Sequence, residues 1–300
     1  MSNENGVKEE WNTIIAAKLK EGISIEDLKH KYSDKVELEP NVLASDIEEY
    51  THTLTVNHPW INMASIAGGN SSDKNRLILK ALNEGANGLS IELTGSDSIS
   101  EVLENVMTEY LDVRIDCRQL TKRTVEQLKA QIEENCMPNI RWVNQDEDYD
   151  QYHIKRENRP HDINVLIDTI GQSSYVDIIL TIGKNILYEI ATIRAIRSMV
   201  EESGFKAFKI LVNYDVEGSN ELGDYNLIEK TYKVLSAVIG GADAILTPYT
   251  GDEDSRLTLN IHNILDLESG MKNVLDPLGG SYYIEKLTGE IVQEVKDFGS

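Results

Sequence analysis

Residues 61–93 read INMASIAGGNSSDKNRLILKALNEGANGLSIEL, and this stretch decides the fold. It begins and ends with short apolar runs, 61–67 and 88–93, which contain the β-branched residues typical of strands. Between the two runs, apolar residues recur at helical spacing over 73–84. The pattern predicts a strand, a helix and a second strand parallel to the first.

The same alternation continues along the chain. Strands are predicted at 61–67, 88–93, 111–117, 140–143, 164–170, 176–182, 208–214 and 242–248. Helices are predicted at 73–84, 99–108, 124–135, 185–202, 225–239 and 256–267. About eight such repeats, with parallel strands covered by helices, predict an α/β protein with a TIM-type (β/α)8 barrel.

One connection in this barrel is too short. Residues 171–175 alone separate the predicted strands at 164–170 and 176–182, whereas a parallel crossover needs about a dozen residues or more. Either one of these runs is not a barrel strand, or the barrel has lost a helix. We therefore predict a barrel that is shortened or irregular around strands 5 and 6, with an irregular wall at 164–182.

The chain divides into two predicted parts, because no linker or low-complexity stretch interrupts it after the start. Residues 1–49 are predicted to form an N-terminal helical arm, and residues 50–300 a single barrel domain. Ser24 and Asp27 fit a capping box for a short second helix in the arm. The arm's first helix carries apolar residues at helical spacing: Trp11, Ile14, Ile15 and Leu19.

Charge and cysteine content exclude several classes of protein. The formal charge is −22, from 29 Lys and Arg against 51 Asp and Glu, which opposes binding to nucleic acid or to a membrane surface. Cys117 and Cys136 form no CxxC or Cys/His cluster, so we expect buried thiols rather than a disulfide or zinc site. The sequence shows neither a signal-like start nor a membrane-spanning stretch, so a cytoplasmic location is expected.

Three segments of the second half carry a resemblance to a known family. ILYEIATIRAIR at 186–197 resembles FFxEIAKLRAxR, SAVIGGAD at 236–243 resembles a helix-to-strand stretch with GGAD, and DPLGGSYYIEKLT at 276–288 resembles DPxGGSYYxExLT. In this order they resemble the substrate-binding barrel of the methylmalonyl-CoA mutase family over roughly 178–295. The resemblance implies a barrel from a family of isomerases (intramolecular transferases) that rearrange acyl-CoA thioesters with adenosylcobalamin.

The resemblance also supplies candidate ligand positions. They are Arg194, Arg197, Arg256, Asn260, His262, Asp276, Gly280, Ser281 and Tyr282. Structural roles are open as well, because helix arginines pair with nearby carboxylates such as Glu189 or Glu201. His262 stands where the family has glutamine, and the change is expected to remove a polar group from the open end of the barrel.

The segments that carry the family's chemistry are missing or altered. No DxHxxG, the motif whose histidine binds cobalt, occurs in the 300 residues. The family's RTYAG segment corresponds to Ile66–Asn70, which has no tyrosine, and the acidic stretch Asn144–Asp150 is expected to repel CoA phosphates. The family's YHxxxxGA pair falls in the short connection. Tyr152-His153 lacks the following Gly-Ala and is predicted to be a solvated pair in a charged loop.

Three functions remain open. The altered site resembles the small, non-catalytic chain of heterodimeric mutases, which implies a partner that stabilises or regulates a catalytic mutase subunit, or else a homodimer. Such a chain would be inactive alone, would bind no cobalamin alone, and would have no catalytic, cofactor-binding or metal-binding residues. The alternatives are the substrate barrel of a split adenosylcobalamin-dependent mutase, and a repurposed barrel that binds another acyl-CoA or a small ligand.

Overall fold

The structure, a computed structural model, describes residues 4–47, 59–134, 140–143, 149–172, 174–214 and 224–299. The N-terminal arm contains helix α1 (Glu4–Ala16) and an antiparallel ribbon of β1 (His30–Lys31) and β2 (Glu37–Leu38). The barrel strands are β3 (Ile61–Ile66), β4 (Gly88–Glu92), β5 (Asp112–Asp116), β6 (Ile140–Val143), β7 (Tyr149–Ile154), β8 (Tyr175–Ile182), β9 (Phe208–Tyr214) and β10 (Ala244–Pro248). The remaining α-helices are α2 (Ser71–Asn83), α3 (Ile99–Val102), α4 (Lys122–Glu134), α5 (Arg159–Thr169), α6 (Ile186–Glu202), α7 (Asp224–Gly240), α8 (Glu253–Asn263) and α9 (Tyr282–Phe298).

The eight strands form one parallel sheet in the order β6-β5-β4-β3-β10-β9-β8-β7. The two end strands, β6 and β7, also lie beside each other. The sheet therefore nearly closes, which confirms the TIM-type (β/α)8 barrel. A π-helical turn (Ile264–Glu268) extends α8, and α9 packs against α5 and α6.

The predicted strand at 164–170 is wrong, because this stretch lies in α5 and the turn after it. Its buried residues Ile163, Leu166 and Ile170 are spaced by three and four residues, which is a helical period. Pro160 lies in the first turn of α5, where its missing N–H breaks no helical hydrogen bond.

The fifth barrel strand is β7 (Tyr149–Ile154), where the sequence predicted a charged loop. Because α5 connects β7 to β8, two full strands and a helix form the wall, and the irregular wall expected at 164–182 is not found. The first of the two alternatives for the short connection is therefore the right one. Apart from 164–170, the predicted strands are confirmed.

The side chains of the barrel strands alternate between the axis and the helical layer. Inside the barrel, Met63, Ile179, Leu211, Ala244 and Leu246 form a buried apolar cluster. Two larger apolar clusters lie between the strands and the surrounding helices. Strand alternation therefore sends every second residue to the barrel axis, where polar residues can meet.

The arm contacts the barrel mainly through its ribbon. Val36 and Leu38 are buried against α6 and α9, and Tyr32 Oη lies 2.9 Å from Tyr283 Oη. Ser24 Oγ donates to Asp27 at 2.8 Å, which confirms the predicted capping contact, although only a 3₁₀ turn (Glu26–Leu28) follows it.

Helix α1 is much less covered than the ribbon. Val7 and Ile14 are 51% and 48% exposed. Lys8 ties the helix to the rest of the arm through Glu39 at 2.7 Å and Asp46 at 3.1 Å. Cys117 is buried, and its Sγ donates to the carbonyl of Val143 at 3.1 Å, whereas Cys136 lies outside the described residues. Within the described ranges, no helix is long and apolar enough to cross a membrane.

Candidate functional site

Two layers of ion pairs cross the inside of the barrel. Near the amino ends of the strands, Asp112 of β5 accepts hydrogen bonds from Arg141 of β6 at 3.0 Å and from Lys209 of β9. The guanidinium of Arg141 also lies over the ring of Tyr175, 5.7 Å from its centroid. Because β5 and β9 are not neighbours in the sheet, this layer bridges the floor of the barrel.

The second layer lies two residues further along β5. Arg114 donates through Nε to Asp177 of β8 at 3.2 Å and through Nη1 to Ser90 Oγ of β4 at 2.9 Å. The side chains of Arg114 and Asp177 are 4% and 0% exposed. A buried charge needs a partner of opposite sign, so this pair holds the middle of the barrel closed.

Above these layers, a cavity of about 150 Å³ opens at the carboxyl ends of the strands; we call it the mouth cavity. Its apolar lining includes Ile179 and Leu246. Its polar lining, drawn from five strands and a neighbouring loop, comprises Ser65, Ser90, Glu92, Arg114, Asp116, Arg118, Gln151, His153 and Asn213. The carboxyl ends of the strands are where TIM-barrel enzymes place their active sites, so the mouth cavity is the candidate functional site.

His153 lies at the rim of the mouth cavity, with Nε2 3.3 Å from Nη1 of Arg118. Arg118 is held in turn by Asp116, through Nε at 3.0 Å and Nη2 at 2.7 Å. Desolvation, and next the positive charge of Arg118, hold the pKa of His153 below its usual value. The imidazole is therefore neutral at neutral pH.

The placement of Tyr152 and His153 in a charged loop is wrong, because both belong to β7. Successive strand residues face opposite sides, so the two side chains separate. Tyr152 packs in the helical layer, where its hydroxyl accepts a hydrogen bond from Thr169 Oγ1 at 2.7 Å. Of the two side chains, His153 alone lines the mouth cavity.

Several sequence-predicted positions meet around Arg194, which we call the outer cluster. Arg194 donates through Nη1 to both oxygens of Asp276, at 2.9 and 2.8 Å, and through Nη2 to Glu285 at 2.9 Å. Glu285 also accepts from the backbone N–H of Gly280 at 3.0 Å, and Ser281 is the N-cap of α9. The outer cluster thus joins α6, α9 and the loop that precedes α9.

Arg197 has its own partners in the wall. It donates through Nη2 to Asp243 at 2.7 Å and to the carbonyl of Gly241 at 2.8 Å. Neither helix arginine pairs with Glu189 or Glu201. Glu189 is instead buried against Arg159, at 2.6 Å.

His262 is buried between α8 and the barrel wall rather than at the open end of the barrel. Its Nδ1 accepts from Trp60 Nε1 at 3.2 Å, and its Nε2 lies 3.2 Å from Thr247 Oγ1. Burial lowers the pKa of His262 to about 3. A neutral imidazole with Nε2 protonated satisfies both neighbours.

The other candidates lie towards the surface. Arg256 pairs with Glu253 on the same helix, Asn260 is half-buried, and Tyr282 is 45% exposed. None of the nine predicted positions is among the described residues that line the mouth cavity. Their roles as ligand contacts stay predictions.

The residues that do line the mouth cavity were not predicted from the sequence. In β4, Ser90 and Glu92 alternate with apolar residues, and in β5 Asp112, Arg114 and Asp116 do the same. This period-two polarity is the signal that could have found them. The two strands were predicted from their apolar residues alone.

Comparison with known proteins places the second half of the chain. Residues 175–298 match the family model for methylmalonyl-CoA mutase. The methylmalonyl-CoA mutase of Rhizobium meliloti (strain 1021) is 32% identical over 144 residues, which cover 42% of this chain and 20% of that protein. The methylmalonyl-CoA mutase small subunit of Streptomyces virginiae is 39% identical over 80 residues, covering 24% and 13%.

A third relative, the 2-hydroxyisobutanoyl-CoA mutase large subunit of Aquincola tertiaricarbonis, is 35% identical over 77 residues, covering 23% of this chain and 14% of that protein. The match to each of these relatives thus spans a fifth of its length or less. Among solved structures, dihydropteroate synthase from Thermus thermophilus aligns with a TM-score of 0.41 and 14% identity, over 70% of this chain and 94% of that one.

The strand order defines a (β/α)8 barrel. Residues 175–298 thus resemble the methylmalonyl-CoA mutase family, and each of these matches covers less than half of the chain.

Proposed function

We propose that this chain is a non-catalytic, small-subunit-like barrel that pairs with a cobalamin-dependent acyl-CoA mutase and stabilises or regulates it. One observation carries the proposal. The buried Arg114–Asp177 pair closes the inside of the barrel, where the family resemblance implies that a CoA thioester is gripped.

Size supports the same conclusion. Ligand pockets for drug-sized molecules have volumes of roughly 300–1,000 Å³, and a CoA thioester is larger still, whereas the mouth cavity has about 150 Å³. To deepen the cavity, Arg114 would have to leave Asp177. Breaking a buried pair costs about 3–5 kcal/mol, which opposes entry of a substrate arm.

The residues present do not fit adenosylcobalamin. The histidine at the mouth, His153, already accepts a hydrogen bond at Nε2 from the guanidinium of Arg118, at 3.3 Å, so this nitrogen is not free to coordinate cobalt. We therefore expect the chain alone to bind no corrin.

A partner chain is supported by the relatives and by the arm. Two of the similar proteins are named as subunits, one small and one large. On this chain, α1 leaves Val7 and Ile14 largely exposed. Covering apolar area is worth about 25 cal/mol per Å², so an opposing subunit would gain from contact with this face.

The test is co-expression with a catalytic mutase chain from the same source, followed by size-exclusion chromatography with light scattering. Because the ribbon packs on the barrel, point changes in α1 are cleaner than removal of the arm. We expect the full chain to co-purify with the catalytic chain, and Val7→Asp/Ile14→Asp to reduce this at least tenfold. Thr13→Asp, an exposed position on the same helix, is the matched control. Absence of any complex, or equal loss with Thr13→Asp, would overturn the proposal.

A split mutase is the second candidate, because His153 lies at the carboxyl end of a barrel strand beside the cavity. For this candidate, the chain mixed with a separate corrin-domain protein, adenosylcobalamin and methylmalonyl-CoA would show turnover. His153→Ala should abolish that turnover, whereas Tyr152→Phe, whose side chain faces away, should retain it. We expect no turnover in any of these mixtures.

A further inference from the structure

The mouth cavity contains polar groups that a purely structural barrel does not need. Both Oε1 and Nε2 of Gln151 are buried and have no hydrogen-bond partner among the described residues. The same holds for Nη2 of Arg114 within the described part of the chain. Both residues line the mouth cavity. Most buried polar groups in proteins are paired, so three unpaired atoms beside one cavity indicate that a polar guest completes them.

The number and kind of these atoms restrict the guest. Gln151 Nε2 and Arg114 Nη2 are donors, and Gln151 Oε1 is an acceptor. A carboxamide offers the complementary set, because its oxygen accepts two hydrogen bonds and its nitrogen donates. The guest's donor and acceptor also sit on separate atoms, as they do in the Gln151 carboxamide, so the two amides can pair side by side.

Charge argues against an anion. Arg118 is neutralised by Asp116 at 2.7 Å, and Arg114 by Asp177 at 3.2 Å. Glu92 adds a further carboxylate to the lining. The site therefore has no excess positive charge with which to hold a carboxylate or phosphate, and a neutral molecule suits it better.

Size sets the upper limit. A volume of about 150 Å³ corresponds to about five water molecules at the roughly 30 Å³ each occupies in the liquid. The apolar side chains of Ile179 and Leu246 in the lining suit a short hydrocarbon part of the guest.

We propose that the mouth cavity binds a small neutral carboxamide, whose amide pairs with the Gln151 side chain and accepts from Arg114 Nη2. The inference goes beyond the proposed function and does not depend on pairing with a mutase subunit. It requires no reaction at the site.

Propionamide is the probe, and propionate, its anionic counterpart of nearly equal size, is the matched comparison. In a ¹⁵N-labelled full chain, propionamide should shift the side-chain amide signals of Gln151 and the guanidinium signals of Arg114 in a saturable way. Propionate should bind at least tenfold more weakly. One lost hydrogen bond corresponds to about a tenfold change in affinity, so Gln151→Leu should weaken propionamide binding by at least that factor.

Two further measurements keep the test decisive. Gln151→Glu keeps the side-chain length and should also weaken propionamide binding, because it replaces the donor, and the fold of both variants is checked by circular dichroism. A crystal soaked in propionamide should show the amide against Gln151. The proposal fails if only water occupies the cavity, if propionate or glycerol binds as tightly as propionamide, or if the Gln151 variants bind unchanged.

Discussion

The outer cluster and the mouth cavity are both organised by a buried arginine, yet only the outer cluster resembles the family in sequence. Arg194 and its partners Asp276 and Glu285 lie in segments that resemble the mutase family, within the matched residues 175–298. Most residues that line the mouth cavity precede residue 175. The match to the family therefore rests on residues that join helices and loops, whereas the cavity lies mainly in the part of the chain before the match.

The match to the family and the candidate site depend on different residues, so the match does not by itself imply an activity. The resemblance in sequence concerns α6, α9 and the loop before α9, where the outer cluster lies. It says nothing about which groups meet at the open end of the barrel, because those come from other strands. A fold does not carry its relatives' chemistry unless the site does.

The largest effect should follow loss of the outer cluster's cation. Arg194→Ala would leave Asp276 and Glu285 buried without their positive partner, at a cost of about 3–5 kcal/mol in the free energy of unfolding. Urea unfolding followed by circular dichroism measures it. Arg256→Ala, which removes an exposed pair with Glu253, should have a far smaller effect, because solvent screens such pairs. Similar losses in the two variants would show that the outer cluster is not what stabilises this half of the barrel.

The sequence predicted the barrel well because most strands and helices have a clear period. It failed at 149–170 because β7 is polar on both faces, with Gln151, Tyr152 and His153 in succession, while α5 is rich in β-branched apolar residues. The helical spacing of the buried residues of α5, together with Pro160 in its first turn, identifies it as a helix.

The site was less predictable than the fold. Arg114 and Asp177 lie 63 residues apart in sequence and meet only because β5 and β8 face each other across the barrel. No short sequence motif could have predicted the contact between Arg114 and Asp177. The motif residues, by contrast, were found readily, and they lie in the outer layer.

The buried histidine of the barrel wall, His262, should make the stability of the chain depend on pH. The pKa of His262 is about 3 in the folded chain, against 6.5 for the ordinary side chain. Below pH 6.5 the unfolded chain takes up a proton that the folded chain does not. The stability linked to His262 is therefore complete above pH 6.5 and is lost as the pH falls towards 3, by about 1.4 kcal/mol per pH unit.

His262→Gln removes the titrating imidazole and with it this loss of stability at low pH. The amide of the glutamine can still reach Trp60 and Thr247 to form hydrogen bonds. Between pH 7 and pH 4.5, the free energy of unfolding should fall by about 2–3 kcal/mol less in the variant than in the parent chain. Urea midpoints at both pH values measure the difference. Parallel losses in the two proteins would mean that His262 becomes protonated in the folded state.

The smallest effect on stability should come from the mouth cavity itself. Arg118 and Asp116 have side chains 43% and 16% exposed, and such pairs contribute under about 1 kcal/mol. Arg118→Ala should therefore leave the free energy of unfolding nearly unchanged.

The same substitution should change the pKa of His153, because the charge of Arg118 is, after desolvation, the second cause that lowers this pKa. Removing that charge should raise the His153 pKa, as followed by the pH dependence of its imidazole signals in NMR. Arg118→Lys, which keeps the charge, should leave the pKa low. If Arg118→Ala shifts stability by several kcal/mol while the His153 pKa stays constant, the mouth cavity is a packing element like the outer cluster, and the contrast between the two regions disappears.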